Sequence, residues 1–468
     1  MSPRNLQARD LLLLVDRSRP TPVSRQLEEQ MRSAIQSGAF AAGEQLPSTR
    51  VLAQDIGVSR GVVVRVYGQL AAEGYLSLCQ GAAPTVRAAV RFDPKTAPPP
   101  NGRPRLLYNL RPHLPEVATF PRRAWLRAVR ESLEQARNAD LTYGDEAGLW
   151  DLRVEVANYL SRARGVLARP ERTLITSGST HALSLVSRVL ARRGQATTAF
   201  ENPSHYILRT VASHGGQTIV AAEVDERGIR PDTIGAAGAV YVSPAHQFPT
   251  GVVLTPERRT AVIEWAQETD SWVLEDDYDA EFRYDRAPIG ALQGLAPERV
   301  VYFGSTGKTF APGLRLGWAV LPQSLVDDVS RELLNSILQV SGFDQLAFAN
   351  FLHRGDFDRH LRRMRQLYRA RRDLVVSLLG DLLPDHPVRG IAAGLHVVLE
   401  MPSPAAASAV QAAAEEAGIV VETLEQHAFA DYHGAAGLLI GYGGLPEASL
   451  QEAIRGLAKI VRRPGAAG

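Results

Sequence analysis

The sequence predicts an α/β protein in two parts. A small, mainly helical module comes first, and a much larger domain on a mostly parallel sheet follows. Three observations carry this. Residues 22–87 show helical patterns broken by glycine and then a strand–tip–strand pattern. A proline-rich stretch, FDPKTAPPP, then interrupts all periodicity. Beyond it, β-branched runs (LITSG, TIVAAEV, AVYVSP, SWVLEDD, VVYFGS) alternate with amphipathic helical spacing, as strands do with crossover helices. The expected boundaries are 1–88 for the module, 89–107 for a linker and 108–468 for the large domain.

Composition narrows the function classes. The chain has 468 residues, 45% hydrophobic and 22% charged, with one cysteine, Cys79. That excludes collagen-like and mostly disordered chains, an internal disulfide and any multi-cysteine metal site. No apolar run approaches the roughly 18 residues of a membrane span, and MSPRNLQARD lacks the apolar region of a signal peptide. The LLLLV run at 11–15 is too short. These readings predict a cytoplasmic protein with no membrane partner. Of 52 basic residues only Lys95, Lys308 and Lys459 are lysines. Each therefore matters, because arginine cannot stand in where a deprotonatable amine is needed. Residues 1–91 hold 11 arginines against 7 acidic residues, while the remainder holds 41 basic against 43 acidic. A basic end on a near-neutral body points to a polyanion partner.

In the N-terminal module, Val23, Leu27, Met31 and Ile35 recur at i, i+4 and predict a helix ended by Gly38. Ser48 is a suitable N-cap for a short helix through Asp55, Gly57 makes a turn, and Ser59 caps a second helix running to about Glu73. YLSLCQ, Gly81 and APTVRA read as two strands and a tip, a wing. Two short helices across a glycine turn form a helix-turn-helix, whose second helix can enter the major groove. Over residues 22–87 the chain resembles the GntR family of winged-helix regulators, through LPSTR, IGVSR and QLAAEGYL in that order and spacing. The resemblance implies a double-stranded DNA operator as partner, with Arg50, Ser59 and Arg60 facing phosphates and base edges and Gly81 at the wing tip. Arginine suits phosphate and guanine. Gly61, Val62, Val63 and Val64 stand where family members usually have polar residues. Arg65 lies one place from the usual base-reading arginine. Base readout is expected to be thinner or differently placed.

In the large domain three strand ends carry chemistry: Asp276, Asp277 and Tyr278 closing SWVLEDDY, Ser305 closing VVYFGS with Lys308 and Arg315 after it, and AHQFPTG after AVYVSP. Ligands of open α/β sheets gather at such ends. A lysine among small residues, near an arginine, has a depressed pKa and can form a Schiff base. A strand-end carboxylate can hold a pyridinium nitrogen protonated, and Tyr278 can bond a phenolic oxygen. Arg315, Ser305 and the helix opening at Gly178, Ser179 and Thr180 can hold a phosphate. Together these describe a site for pyridoxal 5′-phosphate (PLP).

Residues 108–468 resemble a fold-type I aminotransferase, and the whole chain resembles the MocR-type subfamily of GntR regulators. The resemblance implies Lys308 as the Schiff-base lysine, Asp276 on the pyridine nitrogen, Tyr278 on the 3-hydroxyl and Arg315 on the phosphate. Tyr143, in LTYGDEAGLWDLR, matches the tyrosine that reaches the phosphate of a neighbouring subunit, which implies a head-to-tail homodimer. His205 stands where relatives carry a ring-stacking aromatic, and Ile207 where some amino-acid binders carry arginine. The arginine that clamps a substrate carboxylate falls near Leu439 in an apolar run. AHQFPTG lacks the asparagine common in aminotransferases, leaving Gln247 or His246 to serve. These departures predict a PLP-binding regulator rather than a working aminotransferase. PLP itself is the expected effector, with an amine or amino acid as the alternative.

Overall fold

A computed structural model describes residues 13–87, 107–285, 289–336 and 339–462, which divide into two compact units, one on each side of the proline-rich stretch. All of the expected linker except Leu107 lies outside the described residues. The Leu107 amide already donates to the Gly418 carbonyl of the larger unit.

The smaller unit holds α1 (Val23–Gln36), α2 (Thr49–Asp55), α3 (Arg60–Ala72) and an antiparallel pair, β1 (Leu76–Ser77) and β2 (Thr85–Val86). Leu27, Met31 and Ile35 of α1 close on Leu52 of α2, on Val63, Val66 and Leu70 of α3, and on Leu76 and Val86. The i, i+4 stripe is thus the core face. Ser48 accepts from the Val51 amide at 3.4 Å, capping α2 as expected. Gly57 takes φ 65° in the turn, a left-handed conformation that glycine adopts without steric cost. Ser59 occupies the N-cap place of α3, but its hydroxyl makes no capping bond, contrary to expectation. The Tyr67 hydroxyl donates to the Pro47 carbonyl at 2.9 Å and ties α3 to the segment before α2.

The larger unit is built on eight strands: β3 (Thr173–Thr176), β4 (Thr197–Asn202), β5 (Thr218–Asp225), β6 (Gly228–Ile229), β7 (Ala239–Val242), β8 (Trp272–Asp276), β9 (Val300–Ser305) and β10 (Gly317–Val320). Their order is β3-β10-β9-β8-β7-β4-β5-β6. The central five strands run parallel, while β10 and the short β6 are antiparallel to their neighbours. Because β10 is antiparallel to both β3 and β9, the carboxyl ends of β3, β4, β7, β8 and β9 emerge on one edge. Phe303 pairs with Asp276, so the chain after β9 leaves the sheet just past the end of β8. The five predicted strands are all present.

A second sheet, wholly antiparallel and not foreseen in the sequence, joins β11 (Val388–Arg389), β12 (His396–Met401), β13 (Glu422–Thr423) and β14 (Ala436–Gly441) in the order β11-β12-β14-β13. An alanine-rich stretch at 401–418 holds the helix Pro404–Glu416, capped by Ser403. Leu439 is fully buried with Phe248, Val398 and Leu424. Among the described residues, no helix is long and apolar enough to cross a membrane.

Candidate functional site

The converging strand ends surround a cavity of about 210 Å³ whose lining includes Ser179, Thr180, His205, Phe248, Asp276, Tyr278 and Lys308, together with His113, Ile207, Tyr241 and Leu395. Lys308 reaches it from the short helical turn after β9, whose start is fixed by the Ser305 hydroxyl accepting from the Gly307 amide at 3.1 Å. The Lys308 Nζ donates to the His113 carbonyl at 2.7 Å. Burial brings its pKa down to about 8, although Asp279 and Asp276 pull the other way. A lysine so placed is a usable nucleophile near neutral pH.

The run Glu275-Asp276-Asp277 divides by strand alternation. Glu275 accepts from the amides of Leu292 and Gln293 at 2.8 and 2.9 Å. Asp277 accepts from Arg164 at 2.7 and 3.1 Å and from the Tyr302 hydroxyl at 2.6 Å. Both are fold-holding groups. Asp276 faces the cavity instead. Burial raises its pKa to about 7, and its Oδ1 is buried with no hydrogen-bond partner. A buried acceptor without a donor is costly, so this atom fits a ligand that brings an N–H.

At the other end, helix α4 (Ser179–Arg192) opens into the cavity with Gly178 at φ 119°. The amides of its first turn have no intrahelical acceptor, which suits an anion. Arg315, exposed and in a left-handed conformation, lies close enough to lower the pKa of His181 on α4 after burial and Arg188. Neither Arg315 nor Ser305 lines the cavity wall.

His205 caps helix α5 (Tyr206–His214), its Nδ1 accepting from the Ile207 amide at 3.3 Å. Its ring stacks on Phe248 at 5.3 Å, and burial, then His427, lower its pKa to about 3, so it is a neutral, stackable ring. Gln247 corrects the sequence expectation. Its amide nitrogen donates to the Pro203 and Phe248 carbonyls at 2.8 Å and its oxygen accepts from Thr250, so it braces the loop and does not line the cavity. His246, the other candidate, lies 3.0 Å from the Tyr278 hydroxyl. Tyr143 is 96% exposed and lines a different cavity. His113, Tyr241 and Phe248 were not anticipated. For Tyr241 the alternation in AVYVSP was a usable signal, whereas nothing local marks His113.

On the smaller unit, Arg50, Ser59, Arg60, Arg65 and Gly81 are all exposed, and Gly81 sits between β1 and β2 at φ 82°. In α3, Val63 turns into the core and Val62 is half-buried, so only Gly61 and Val64 of that run join Arg60 and Arg65 on the outward face. Val64 is 49% exposed.

Residues 23–86 match the gntR family of bacterial regulatory proteins, and residues 116–457 match the aminotransferase class I and II family. Over 455 aligned positions the chain is 33% identical to the HTH-type pyridoxine biosynthesis transcriptional regulator PdxR of Corynebacterium glutamicum, covering 94% of this chain and 96% of that one. The chain belongs to the GntR-family transcriptional regulators that carry an aminotransferase-like domain. This regulator is also 30% identical over 475 positions to the probable rhizopine catabolism regulatory protein MocR of Rhizobium meliloti, with 95% of each chain covered. Its larger unit has the fold of an archaeal alanine:glyoxylate aminotransferase, at a TM-score of 0.70 and 24% identity, covering 76% of the regulator and 90% of the enzyme. The regulator thus unites a DNA-binding domain with an aminotransferase fold.

Proposed function

We propose that this regulator holds PLP in the strand-end cavity and that PLP is the signal that changes its grip on operator DNA. The observation that carries the reading is the pairing, in one cavity, of a lysine with a depressed pKa and an aspartate whose Oδ1 lacks a donor. PLP supplies an aldehyde for an amine and a ring nitrogen that draws electrons when protonated. Lys308 is the amine, and Asp276 accepts from the ring nitrogen. Tyr278 donates to the ring oxygen, and His205 stacks on the ring face. The first turn of α4, with Ser179, Thr180, Ser305 and Arg315, takes the phosphate.

Control of vitamin B6 metabolism is supported by the pyridoxine biosynthesis role named for the Corynebacterium relative. It is also supported by the burial of Leu439 among apolar side chains, which leaves no arginine there to hold an amino-acid carboxylate. This favours sensing over turnover. A solvent-facing Tyr143 suits a head-to-tail homodimer in which each copy completes its neighbour's phosphate site. Arg50, Ser59, Arg60, Arg65 and Gly81 are the proposed DNA contacts. PLP alters DNA binding only insofar as it prefers one of two arrangements of the protein.

The test titrates PLP-free protein onto the DNA upstream of its own gene, with and without PLP. A change in affinity or footprint with PLP alone supports the reading. Colour returning with unchanged DNA binding overturns PLP as signal and points to an amine. Sustained amino-group transfer between an amine and a keto acid would overturn the non-enzymatic role.

A further inference from the structure

Tyr278 has company that the PLP reading does not use. His246 and Asp279 are both buried, with side chains 2% and 1% exposed. The His246 Nδ1 lies 2.9 Å from Asp279 Oδ2 and 3.0 Å from the Tyr278 hydroxyl oxygen. One ring nitrogen therefore serves two oxygens, and it can either donate or accept. A bare nitrogen lone pair 2.9 Å from a carboxylate oxygen is repulsive, so Asp279 fixes the proton on Nδ1. The N–H then forks between Asp279 and Tyr278. The Tyr278 oxygen becomes an acceptor on that side, and its own proton turns from Asp279, the competing acceptor, to an anionic oxygen when one enters the cavity.

The arrangement is held from outside. A β-carbon on Gly394 would lie 2.1 Å from His246 Cε1 and 2.7 Å from Asp279 Oδ2, so backbone closes over the pair. His396, 5.4 Å from His246 ring to ring, donates from Nε2 to the Pro249 carbonyl at 3.0 Å, and burial keeps it neutral. The charged groups facing Tyr278 are Asp279, Asp276 and Glu201, with burial the larger influence; all keep its proton on.

Resting on the PLP reading, we propose that His246 and Asp279 are positioning residues for Tyr278: the Asp279-oriented His246 N–H backs the tyrosine oxygen and turns its proton into the cavity as a donor to an anionic ring oxygen. A donor backed by a second hydrogen bond is a stronger donor. The cavity thereby offers the ring oxygen what the AHQFPTG loop, without its asparagine, does not supply directly. Gln247 is spent on the loop backbone, and Phe248 presents only carbon to the cavity.

The experiment reads the pH midpoint of the visible absorbance of the PLP-loaded, full-length protein. Losing a donor to the ring oxygen raises the midpoint. Losing a nearby negative charge alone lowers it. The sign of the Asp279→Ala shift therefore separates the relay from simple electrostatics. The expected result is an upward shift for Asp279→Ala and for His246→Leu, in the direction of Tyr278→Phe and about tenfold in proton affinity. His246→Asn, which keeps an N–H near the Nδ1 position, returns the midpoint close to wild type. In the double variant Asp279→Ala/Tyr278→Phe the midpoint lies no higher than that of Tyr278→Phe alone, because with the hydroxyl gone Asp279→Ala removes only a negative charge. A midpoint that falls or stays put in Asp279→Ala, or additive shifts in the double variant, overturns the proposal. If Asp279→Ala does not fold, the contrast between His246→Leu and His246→Asn decides in the same way. A wild-type protein that gains no visible band with PLP overturns the cofactor reading itself.

Discussion

Gly317 lies so close to Gly178 that a β-carbon on it would sit 2.7 Å from the Gly178 α-carbon and 2.8 Å from the Gly304 carbonyl oxygen. Two backbones thus press together where β10 begins and α4 opens, and the contact aims the first turn of α4 at the cavity. Both obstacles are backbone, so an added methyl must displace the turn. Gly317→Ala is expected to weaken PLP binding by tenfold or more, while binding of pyridoxal, which has no phosphate, changes little. Equilibrium titration of the two ligands checks this, and equal losses for both would show that the turn does not hold the phosphate.

Two adjacent aspartates should behave in opposite ways. Asp277 answers Arg164, whose side chain is 1% exposed. Asp277→Ala leaves a buried guanidinium unpaired and is expected to cost about 3–5 kcal/mol. Asp276→Asn keeps the shape and removes a carboxylate already strained by burial. It is expected to leave the PLP-free protein at least as stable while cutting PLP affinity. Denaturant unfolding with a parallel PLP titration separates the two.

Lys308 has its proton held less tightly in the folded chain than in the unfolded one. The penalty for its charge is full below pH about 8 and fades as pH rises toward the ordinary lysine value. Lys308→Met is therefore expected to stabilise the PLP-free protein at pH 7, by about 1–3 kcal/mol, while abolishing the visible band. An unchanged or lower melting temperature would contradict this.

The same shift sets a pH profile. At pH 7 about a tenth of Lys308 is neutral, against about one in a few thousand for an ordinary lysine. The rate at which added PLP develops its visible band should rise about tenfold from pH 6 to 7 and level off above about 8. Stopped-flow absorbance reads this directly.

On the DNA-binding unit, Arg50→Ala and Arg60→Ala are each expected to weaken binding to all sequences alike and to lower the salt slope by about one. Arg65→Ala should instead narrow the gap between operator and random DNA. Fluorescence anisotropy across a salt series distinguishes phosphate contacts from base contacts.

Much of the fold was legible because it is local. The i, i+4 stripe of α1, the Ser48 cap and the five β-branched strands are all written within a few residues of themselves. The choice of Asp276 came from the family resemblance, although alternation within Glu275-Asp276-Asp277 marks it too, since neighbours in a strand face opposite ways. The antiparallel second sheet was harder, because its strands β11 and β13 are two residues long and leave no period to read. Gln247 could not be placed from sequence, since its partner Pro203, 44 residues away, becomes a neighbour only when two loops fold together. His246 and Asp279, 33 residues apart, meet for the same reason.

The scarcity of lysine gives the cavity a chemical address. At pH 8 about half of Lys308 is an unprotonated amine. A mild carbonyl reagent followed by reduction should therefore mark this pocket ahead of other side chains, since the 49 arginines remain charged and inert. A fluorophore or cross-linker installed in that way would report from inside the cavity while the protein sits on DNA, without a single engineered residue.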